Sequence, residues 1–414
     1  MHSNRASATA IAQSSIAISW LIPTLLAAVF LMVTMGTRAT LGLFISPLNS
    51  ATGLGIVSIS LAMGIGQLAW GITQPIAGAV ADRYGPGRVL ATAVLLLSAG
   101  MALMPLINSP WSLYLVLGVI VAAGAGAGFL GVLLSAVSPY LPAEKRGMAS
   151  GTINAGASVG QVIFAPLAQK LTSVFGWMGS LWTLAVLILL ILPISWFLRR
   201  TPQAAAAANK TVGGGVRGAV RDAFKDRSYV VLQIGFFACG FHVAFLLTHL
   251  PGEIALCGQP AAVAGWALGL VGMANIVGSL TVGRAMDRFR CKNILFWLYF
   301  PRAAMIVIYV FSPKTELTIY LFAFGMGLTF LSVLPPTAGV VGKLFGVRYL
   351  ATLFGVAILL HQVGGFFGAW LGGLAVANSG SYLWMWYADA MLSLAAAFIN
   401  LSIREPVVQP AAAR

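Results

Sequence analysis

Long apolar runs, broken only by a few polar, glycine or proline positions, follow one another along almost the whole chain. Three of the clearest cover residues 18–46, 229–250 and 317–341. A bilayer core about 30 Å thick needs roughly 20 apolar residues in a helix that crosses it. Divided at their breaks, the runs predict twelve membrane-spanning helices. They start near residues 18, 56, 87, 112, 147, 177, 229, 262, 293, 317, 349 and 382.

The composition also indicates that the chain lies in a lipid bilayer. Hydrophobic residues make up 59% of the 414 residues and charged residues only 8%, whereas soluble domains are about a quarter charged. Most of the chain must therefore face lipid or other apolar helices. The expected fold class is an all-α membrane protein whose surroundings are the lipid bilayer.

The basic residues behind the net charge of +15 are distributed unevenly between the two sides of the predicted spans. Of the 24 Lys and Arg residues, 20 fall on the side of the N-terminus, Lys170 and Lys314 on the far side, and Arg38 and Arg302 inside spans. Positive residues collect in cytoplasmic loops of membrane proteins, which predicts a multi-pass inner (plasma) membrane protein with both termini cytoplasmic. A nucleic-acid partner is not expected, because its basic footprint would cluster on one soluble face.

Motifs for catalysis, metal binding or nucleotide binding do not occur. No CxxC, HExxH or GxxxxGK[ST] string is present, so we expect no metal and no cofactor. Cys239, Cys257 and Cys291 fall in a span, a far-side loop and a cytoplasmic helix end, which predicts no disulfide. No nucleophile, base and orienting group can be assembled from the spans, so the chain is not expected to be an enzyme.

The chain contains an internal duplication. "GAVADRYGPGR" starts at Gly78 and "GRAMDRFRCKN" at Gly283; both read Gly-x-x-x-Asp-Arg, and Asp287 lies 205 residues after Asp82. Six spans precede a basic, Ala/Gly-rich loop and six follow it. This arrangement predicts an N-terminal six-helix bundle (1–198), a cytoplasmic linker (199–228) and a C-terminal six-helix bundle (229–414).

Twelve spans in two halves, each with this loop motif after its second span, resemble the major facilitator superfamily of secondary transporters. The resemblance implies two six-helix bundles, transport of a small molecule by alternating access, and function as a monomer. In that family the loop motif ties the halves together on the cytoplasmic side. The residues that the resemblance assigns to this gate are Gly78, Asp82, Arg83, Arg88, Asp287 and Arg288. The alternative is a positive-inside turn that carries one neutralising acid.

A narrower resemblance concerns the end of the first helix. "RATLGLFISPL" (38–48) is similar to that segment in bacterial carriers related to monocarboxylate transporters and oxalate–formate exchangers. Span one lines the cavity in this family, and Thr34 lies one turn below Arg38. Arg38 is therefore expected to be an anion clamp, because its planar fork matches a carboxylate. Snorkelling to the outer interface is the alternative.

Other polar residues within spans are the remaining candidates, because each would be unfavourable facing lipid. Those considered for substrate binding, together with Arg38 and Thr34, are Gln67, Gln74, Asn154, Gln161, His242, His361 and Arg302. The amides could equally bridge helices. His242 and His361 could carry a coupling proton or be neutral and hydrogen-bonded, while His249 is expected at the interface. Arg302 is expected to pair with Asp389, with a second anion contact as its alternative role.

The distribution of acids favours an anionic substrate. Eight of the nine acidic residues lie in loops, tails or helix ends, and only Asp389 lies within a span. The sequence thus predicts a secondary active transporter for a small organic anion, a carboxylate in particular, with proton symport favoured over exchange. The alternative is a proton-coupled exporter of a drug-like or metabolite substrate.

Overall fold

A computed structural model describes residues 3–141, 145–199, 216–286, 288–346 and 350–405. These residues form α-helices joined by short turns, with brief 3₁₀ and π segments and no strand. Most of the predicted linker, all of Asp287 and the side chain of Asp82 lie outside the described part. Where it is described, the chain is an all-α protein, as the apolar pattern predicts.

The first half of the chain supplies six long helices. They are α1 (Ser3–Ala39), α2 (Ile56–Tyr84), α3 (Pro86–Leu103), α4 (Pro110–Leu113, Tyr114–Val121 and Ala122–Ala127, resumed as Leu130–Val137), α5 (146–175) and α6 (177–189, followed by Leu192–Phe197). Gly176, with φ 71° and ψ 172°, separates α5 from α6. Only glycine adopts such a positive φ easily, so this residue ends one helix and starts the next.

The second half repeats the arrangement. Its long helices are α7 (Arg227–Leu256), α8 (Ala261–Ala285), α9 (Cys291–Phe311), α10 (Glu316–Thr329, resumed as Leu334–Phe345), α11 (Leu350–Ser379) and α12 (Leu383–Leu401). A short helix, Val216–Ala223, precedes α7. The Asp226 carboxylate starts α7 by accepting hydrogen bonds from the backbone N–H groups of Ser228 and Tyr229, an N-cap of the usual kind.

Twelve of these helices are long enough to cross a bilayer. Ten apolar helical runs meet that length within the described residues; one of them, Met148–Phe197, is the pair α5 and α6 divided at Gly176. Helix α12 has 19 residues and is therefore about 28 Å long. The twelve-span prediction is confirmed.

Within each half, the first and fifth helices pack closely through glycines. In the N-terminal half, Gly156 and Gly160 of α5 lie against the backbone of α1, so closely that a methyl group on either would overlap it. In the C-terminal half, Gly364 and Gly368 of α11 lie in the same way against α7. Small residues permit this approach, and its occurrence in equivalent helix pairs agrees with the duplication.

Candidate functional site

The two halves meet along two pairs of helices, α2 with α11 and α5 with α8. In the first pair, Gly64 lies against the carbonyl of Phe366, and Gly71 against the side chain of Gln362. In the second pair, Gly272 lies against Gln161. These pairs are equivalent under the duplication, so the molecule has two related seams.

Both seams open toward one face of the membrane. Each of the four helices carries a glycine on its contacting face, seven or eight residues beyond the last contact with the other half, which is about two turns. These glycines are Gly78 of α2, Gly355 of α11, Gly151 of α5 and Gly283 of α8. A methyl group on any of them would meet no atom of the described residues within 4 Å. Because consecutive helices run in opposite directions, this is the face that carries the chain termini. The halves are therefore closed at the opposite face and parted at this one.

Two amides hold the α5–α8 seam together. The side-chain N–H of Gln161 donates to the carbonyl of Leu268 at 2.9 Å, and the amide of Asn275 donates to the hydroxyl of Ser158 at 2.9 Å. Of the two roles open to Gln161, bridging helices is the one seen in this conformation. Asn275 was not among the candidates named from the sequence. Its position as a polar residue inside a span was the signal that could have identified it, because such a residue needs a partner.

Arg38 lies between the halves near the closed end of the molecule. Its Nη2 donates to Oε1 of Gln67 on α2 at 2.6 Å, and its guanidinium lies over the ring of Trp70, 4.8 Å from the ring centroid. Across from it, Leu247 and Thr248 belong to α7 of the other half. The head group thus points into the protein and not to the membrane interface.

Arg38 and Gln67 line a cavity of about 30 Å³, which is large enough to hold water. Its lining also comprises Ala39, Leu41, Gly42, Met63, Gly66, Leu117, Val121, Ala122, Leu247 and Thr248. These residues come from α1 with the segment after it, α2, α4 and α7.

No acidic side chain neutralises Arg38 within the described part of the chain. The ion pairs found there are Lys225–Asp222, His242–Asp389 and Lys343–Glu405. The neighbours of Arg38 are instead an amide oxygen and an aromatic face, both of which attract the cation weakly compared with a carboxylate. The cavity therefore holds an uncompensated positive charge.

Three other substrate-binding candidates have different surroundings. Thr34 is buried and its hydroxyl donates to the carbonyl of Phe30 at 3.1 Å, which satisfies it within its own helix. Gln74 on α2 and Asn154 on α5 are partly exposed, and they lie where the seams begin to open. The amide nitrogen of Gln74 is buried and has no hydrogen-bond partner among the described residues.

The Arg302–Asp389 pair expected from the sequence is wrong. Arg302 is fully buried, and its guanidinium donates to the backbone carbonyls of Thr329 and Phe330. Those carbonyls are free because α10 stops at Thr329 and resumes at Leu334, so the break supplies acceptors for the cation. Arg302 is not part of the cavity that Arg38 lines.

Asp389 pairs with a histidine instead. Its Oδ2 lies 2.7 Å from Nδ1 of His242 on α7, and both side chains are completely buried. The sequence marked each residue separately, but the spacing of residues along single helices could not reveal that α7 and α12 bring them together.

The other two described histidines differ from His242. His361 is buried beside its neighbour Gln362, whose amide lies 3.1 Å from Nδ1 of the ring. His249 was expected at the interface but is buried, with Nε2 2.6 Å from the carbonyl of Ala369 and Nδ1 3.3 Å from the hydroxyl of Tyr382. Both ring nitrogens of His249 thus have partners, which is typical of a structural histidine.

The gate motif lies on the open face. Arg83, Arg88 and Arg288 are exposed, and the guanidinium of Arg83 lies over the ring of Tyr84. Gly78 faces the gap between the halves. The acids of the motif, Asp82 and Asp287, belong to the positions whose side chains are not described.

Sequence reasoning missed two residues around Arg38. Trp70 follows Gln67 by three positions and therefore lies on the same face of α2, but an aromatic residue in an apolar span gives no polar signal. Thr248 on α7 has a buried hydroxyl without a hydrogen-bond partner among the residues that the structure describes, and it lines the same cavity.

Two six-helix bundles that meet at one membrane face, part at the other and enclose a cavity between them define a transporter that works by alternating access. The chain belongs to the major facilitator superfamily: the family model described as Major Facilitator Superfamily matches residues 26–256 and 257–413. It is a multi-pass membrane transporter and not an enzyme, as the sequence predicts.

Known relatives span several kinds of transporter. The 2-nitroimidazole transporter of Escherichia coli (strain K12) is 28% identical over 370 residues, which are 85% of this chain and 90% of that protein. Monocarboxylate transporter 13 of Bos taurus is 22% identical over 355 residues, 84% of this chain and 81% of that protein. The crystal structure of nucleoside transporter NupG has a TM-score of 0.75 at 16% identity and covers 93% of this chain and 98% of its own. The resemblance to monocarboxylate carriers is confirmed at the level of the family.

Proposed function

We propose that this transporter moves a small organic anion, a carboxylate, and that Arg38 is the residue that binds it. The observation that carries the proposal is the uncompensated guanidinium in the cavity between the halves. A charge inside a membrane protein is unfavourable unless it is paired. A carboxylate substrate supplies the missing negative charge, and it leaves again when the halves move.

The neighbours of Arg38 suit a small planar anion. Gln67 is held 2.6 Å from one guanidinium nitrogen, which leaves other N–H groups of the fork for a carboxylate. Trp70 covers one face of the guanidinium and supplies an apolar wall. Gln74 and Asn154, nearer the opening, offer amide groups along the route from the open face.

With the termini in the cytoplasm of an inner-membrane protein, the open face is cytoplasmic. The arrangement then corresponds to an inward-open state of a monomeric carrier. Proton symport is the coupling mode we favour, because a proton that moves with the anion removes its net charge. The gate motif would join the halves only when the cytoplasmic face closes.

The second candidate function is export of a nitroaromatic or other drug-like compound. It is favoured by the 2-nitroimidazole transporter, whose 28% identity extends over 85% of this chain. Nitro oxygens can accept hydrogen bonds from a guanidinium, and a planar ring can lie against Trp70. The two candidates therefore make use of the same residues and differ in the charge of the substrate.

The test is uptake into proteoliposomes under an inward proton gradient, with a panel of mono- and dicarboxylates and with 2-nitroimidazole. We expect one carboxylate to accumulate. Arg38→Ala should lower its uptake by at least about tenfold, because a hydrogen bond to a charged group contributes about 1.5–3 kcal/mol. Arg38→Lys should retain only part of the activity, since an ammonium cannot bind a carboxylate in bidentate fashion.

Thr24→Val is the matched control on the same helix. Thr24 is buried, and its hydroxyl donates to the carbonyl of Trp20 at 2.8 Å, far from the cavity; this variant should transport normally. Normal carboxylate uptake by Arg38→Ala would contradict the anion clamp. Movement of 2-nitroimidazole but of no carboxylate would establish the second candidate instead.

A further inference from the structure

A second buried polar cluster lies inside the C-terminal half, apart from the cavity around Arg38. We call it the C-half cluster; it consists of His242 and Cys239 on α7, Tyr299 and Arg302 on α9, and Asp389 on α12. All five side chains are buried, and His242, Arg302 and Asp389 have no exposed surface. None of these residues lines the cavity that contains Arg38.

The charges of the cluster balance only when His242 is neutral. Arg302 stays protonated in proteins, and a carboxylate at Asp389 would balance that charge within the cluster although the two residues do not pair directly. An ionised carboxylate can only accept hydrogen bonds, so Nδ1 of His242 donates its proton to Oδ2 of Asp389 across 2.7 Å. Nε2 of His242 is then a free lone pair.

Two atoms of the pair are buried without a partner. Nε2 of His242 and Oδ1 of Asp389 lack hydrogen bonds within the described structure. Buried polar atoms normally have partners, and an unpaired one is unfavourable by about 1–3 kcal/mol. The lone pair on Nε2 of His242 is therefore available to accept a proton.

We propose that the His242–Asp389 pair binds the proton that drives transport, at Nε2 of His242; this inference rests on the proposed symport. The proton converts the pair into an imidazolium held by a carboxylate, a strong charge-assisted interaction. The charged groups that act on His242 are Asp389 from α12 and Arg302 from α9. His361 of α11 contacts the amide of Gln362 and no carboxylate of the described residues, so it is the weaker candidate.

Helix α7 connects this pair with the substrate cavity. His242 precedes Leu247 and Thr248 by five and six residues, less than two helical turns, and those two residues form the α7 wall of the cavity. Gly42, which follows α1, lies against the carbonyl of Leu247. A change of charge at His242 therefore acts on α7, the helix of the C-terminal half that forms a wall of the cavity opposite Arg38.

The transport test separates proton coupling from substrate binding. In proteoliposomes, His242→Gln should lose proton-driven accumulation, so that the internal acid only equilibrates with the external acid. It should keep counterflow, the exchange of labelled for unlabelled acid, because exchange needs no net proton movement. Arg38→Ala should lose both activities. Asp389→Asn should behave like His242→Gln, and Asp389→Glu, which restores a carboxylate, should recover accumulation.

A second measurement does not depend on the substrate. The chain has four histidines, so the ¹⁵N ring signals of histidine-labelled protein in nanodiscs can be assigned by substituting one histidine at a time. We expect the His242 signals to change with pH as the ring binds and releases a proton. The His249 signals should stay constant, because both of its ring nitrogens have partners.

The outcomes distinguish the two proposals. Accumulation at the wild-type level by His242→Gln, or His242 signals that do not change with pH, would overturn the proton site while leaving the carboxylate function intact. Absence of counterflow for every acid in the wild type would overturn the carboxylate function. In that case the pH dependence of the His242 signals still decides whether the pair is a proton site.

Discussion

At the scale of single residues, the pairing of Arg38 with Gln67 makes a sharp prediction. Replacing Gln67 by Glu places a carboxylate at the position of an amide oxygen 2.6 Å from the guanidinium. This internal carboxylate would neutralise the positive charge of Arg38, which the substrate is proposed to neutralise. We expect Gln67→Glu to lose anion uptake in proteoliposomes while it unfolds at the same temperature as the wild type or higher.

Gln259→Glu is the control for this substitution. Gln259 lies in the loop after α7, where its amide donates to the carbonyl of Lys314 at 2.7 Å, outside the cavity. The same chemical change at this site should leave uptake close to the wild-type rate. Undiminished uptake by Gln67→Glu would mean that Arg38 does not need a free positive charge to work.

The residues around Arg38 also show which parts of the site could be predicted from the sequence. Arg38 and Gln67 were both identified because polar groups in apolar spans must find partners. Trp70 was not, since it is as apolar as the rest of its span. The partner of Asp389 was assigned wrongly because periodicity predicts the face of one helix and not which of its neighbours meets it. Helix number and the division into halves depend only on local pattern and repetition, so they were predictable.

At the scale of the helices, Glu405 ties together the membrane-face ends of three of them. It follows α12, accepts hydrogen bonds from the backbone N–H groups of Cys291 and Lys292 at the start of α9, and pairs with Lys343 of α10 at 2.6 Å. Helix α9 lacks a side-chain cap from its own preceding residue, Arg290. A carboxylate at a helix N-terminus is stabilising, so Glu405 acts as the cap from a distant position.

We expect Glu405→Gln to lower the free energy of unfolding at neutral pH by about 1.5–3 kcal/mol, the contribution of hydrogen bonds to a charged group. Burial by itself would raise the pKa of Glu405. The hydrogen bonds from Lys343 and from the backbone of Lys292 and Cys291 outweigh burial and hold the pKa below its usual value. The stabilisation is therefore complete above the unfolded-state pKa of about 4.3 and is lost as the pH falls through the lower folded-state pKa.

Tryptophan-fluorescence melting curves of wild type and Glu405→Gln between pH 7 and about pH 3.5 measure this difference. The gap between the two melting temperatures should narrow on acidification. Asp222→Asn serves as the control, because the Asp222–Lys225 pair is exposed on both sides and such pairs contribute little. A gap that is the same at both ends of the pH range would mean that Glu405 does not act through its charge.

At the scale of the whole molecule, the two seams make the transporter asymmetric across the membrane. Ser60 on α2 is fully buried against Gly373 of α11 at the closed end, whereas Gly355 of α11 faces the gap at the other end. The same two helices thus carry one position that reagents cannot reach and one that they can. Alternating access requires these accessibilities to exchange during transport.

Thiol labelling tests this asymmetry. In a Cys257→Ser background, where the remaining Cys239 and Cys291 are buried, we expect a hydrophilic maleimide to label Gly355→Cys much faster than Ser60→Cys. A transported acid that closes the open face should slow labelling of Gly355→Cys, because the gap between α2 and α11 must narrow for the other face to open. If Ser60→Cys reacts as fast as Gly355→Cys without substrate, the resting molecule samples both openings, and the packing of the closed end is too weak to hold one state. If only Ser60→Cys reacts, the resting state opens to the face opposite the chain termini.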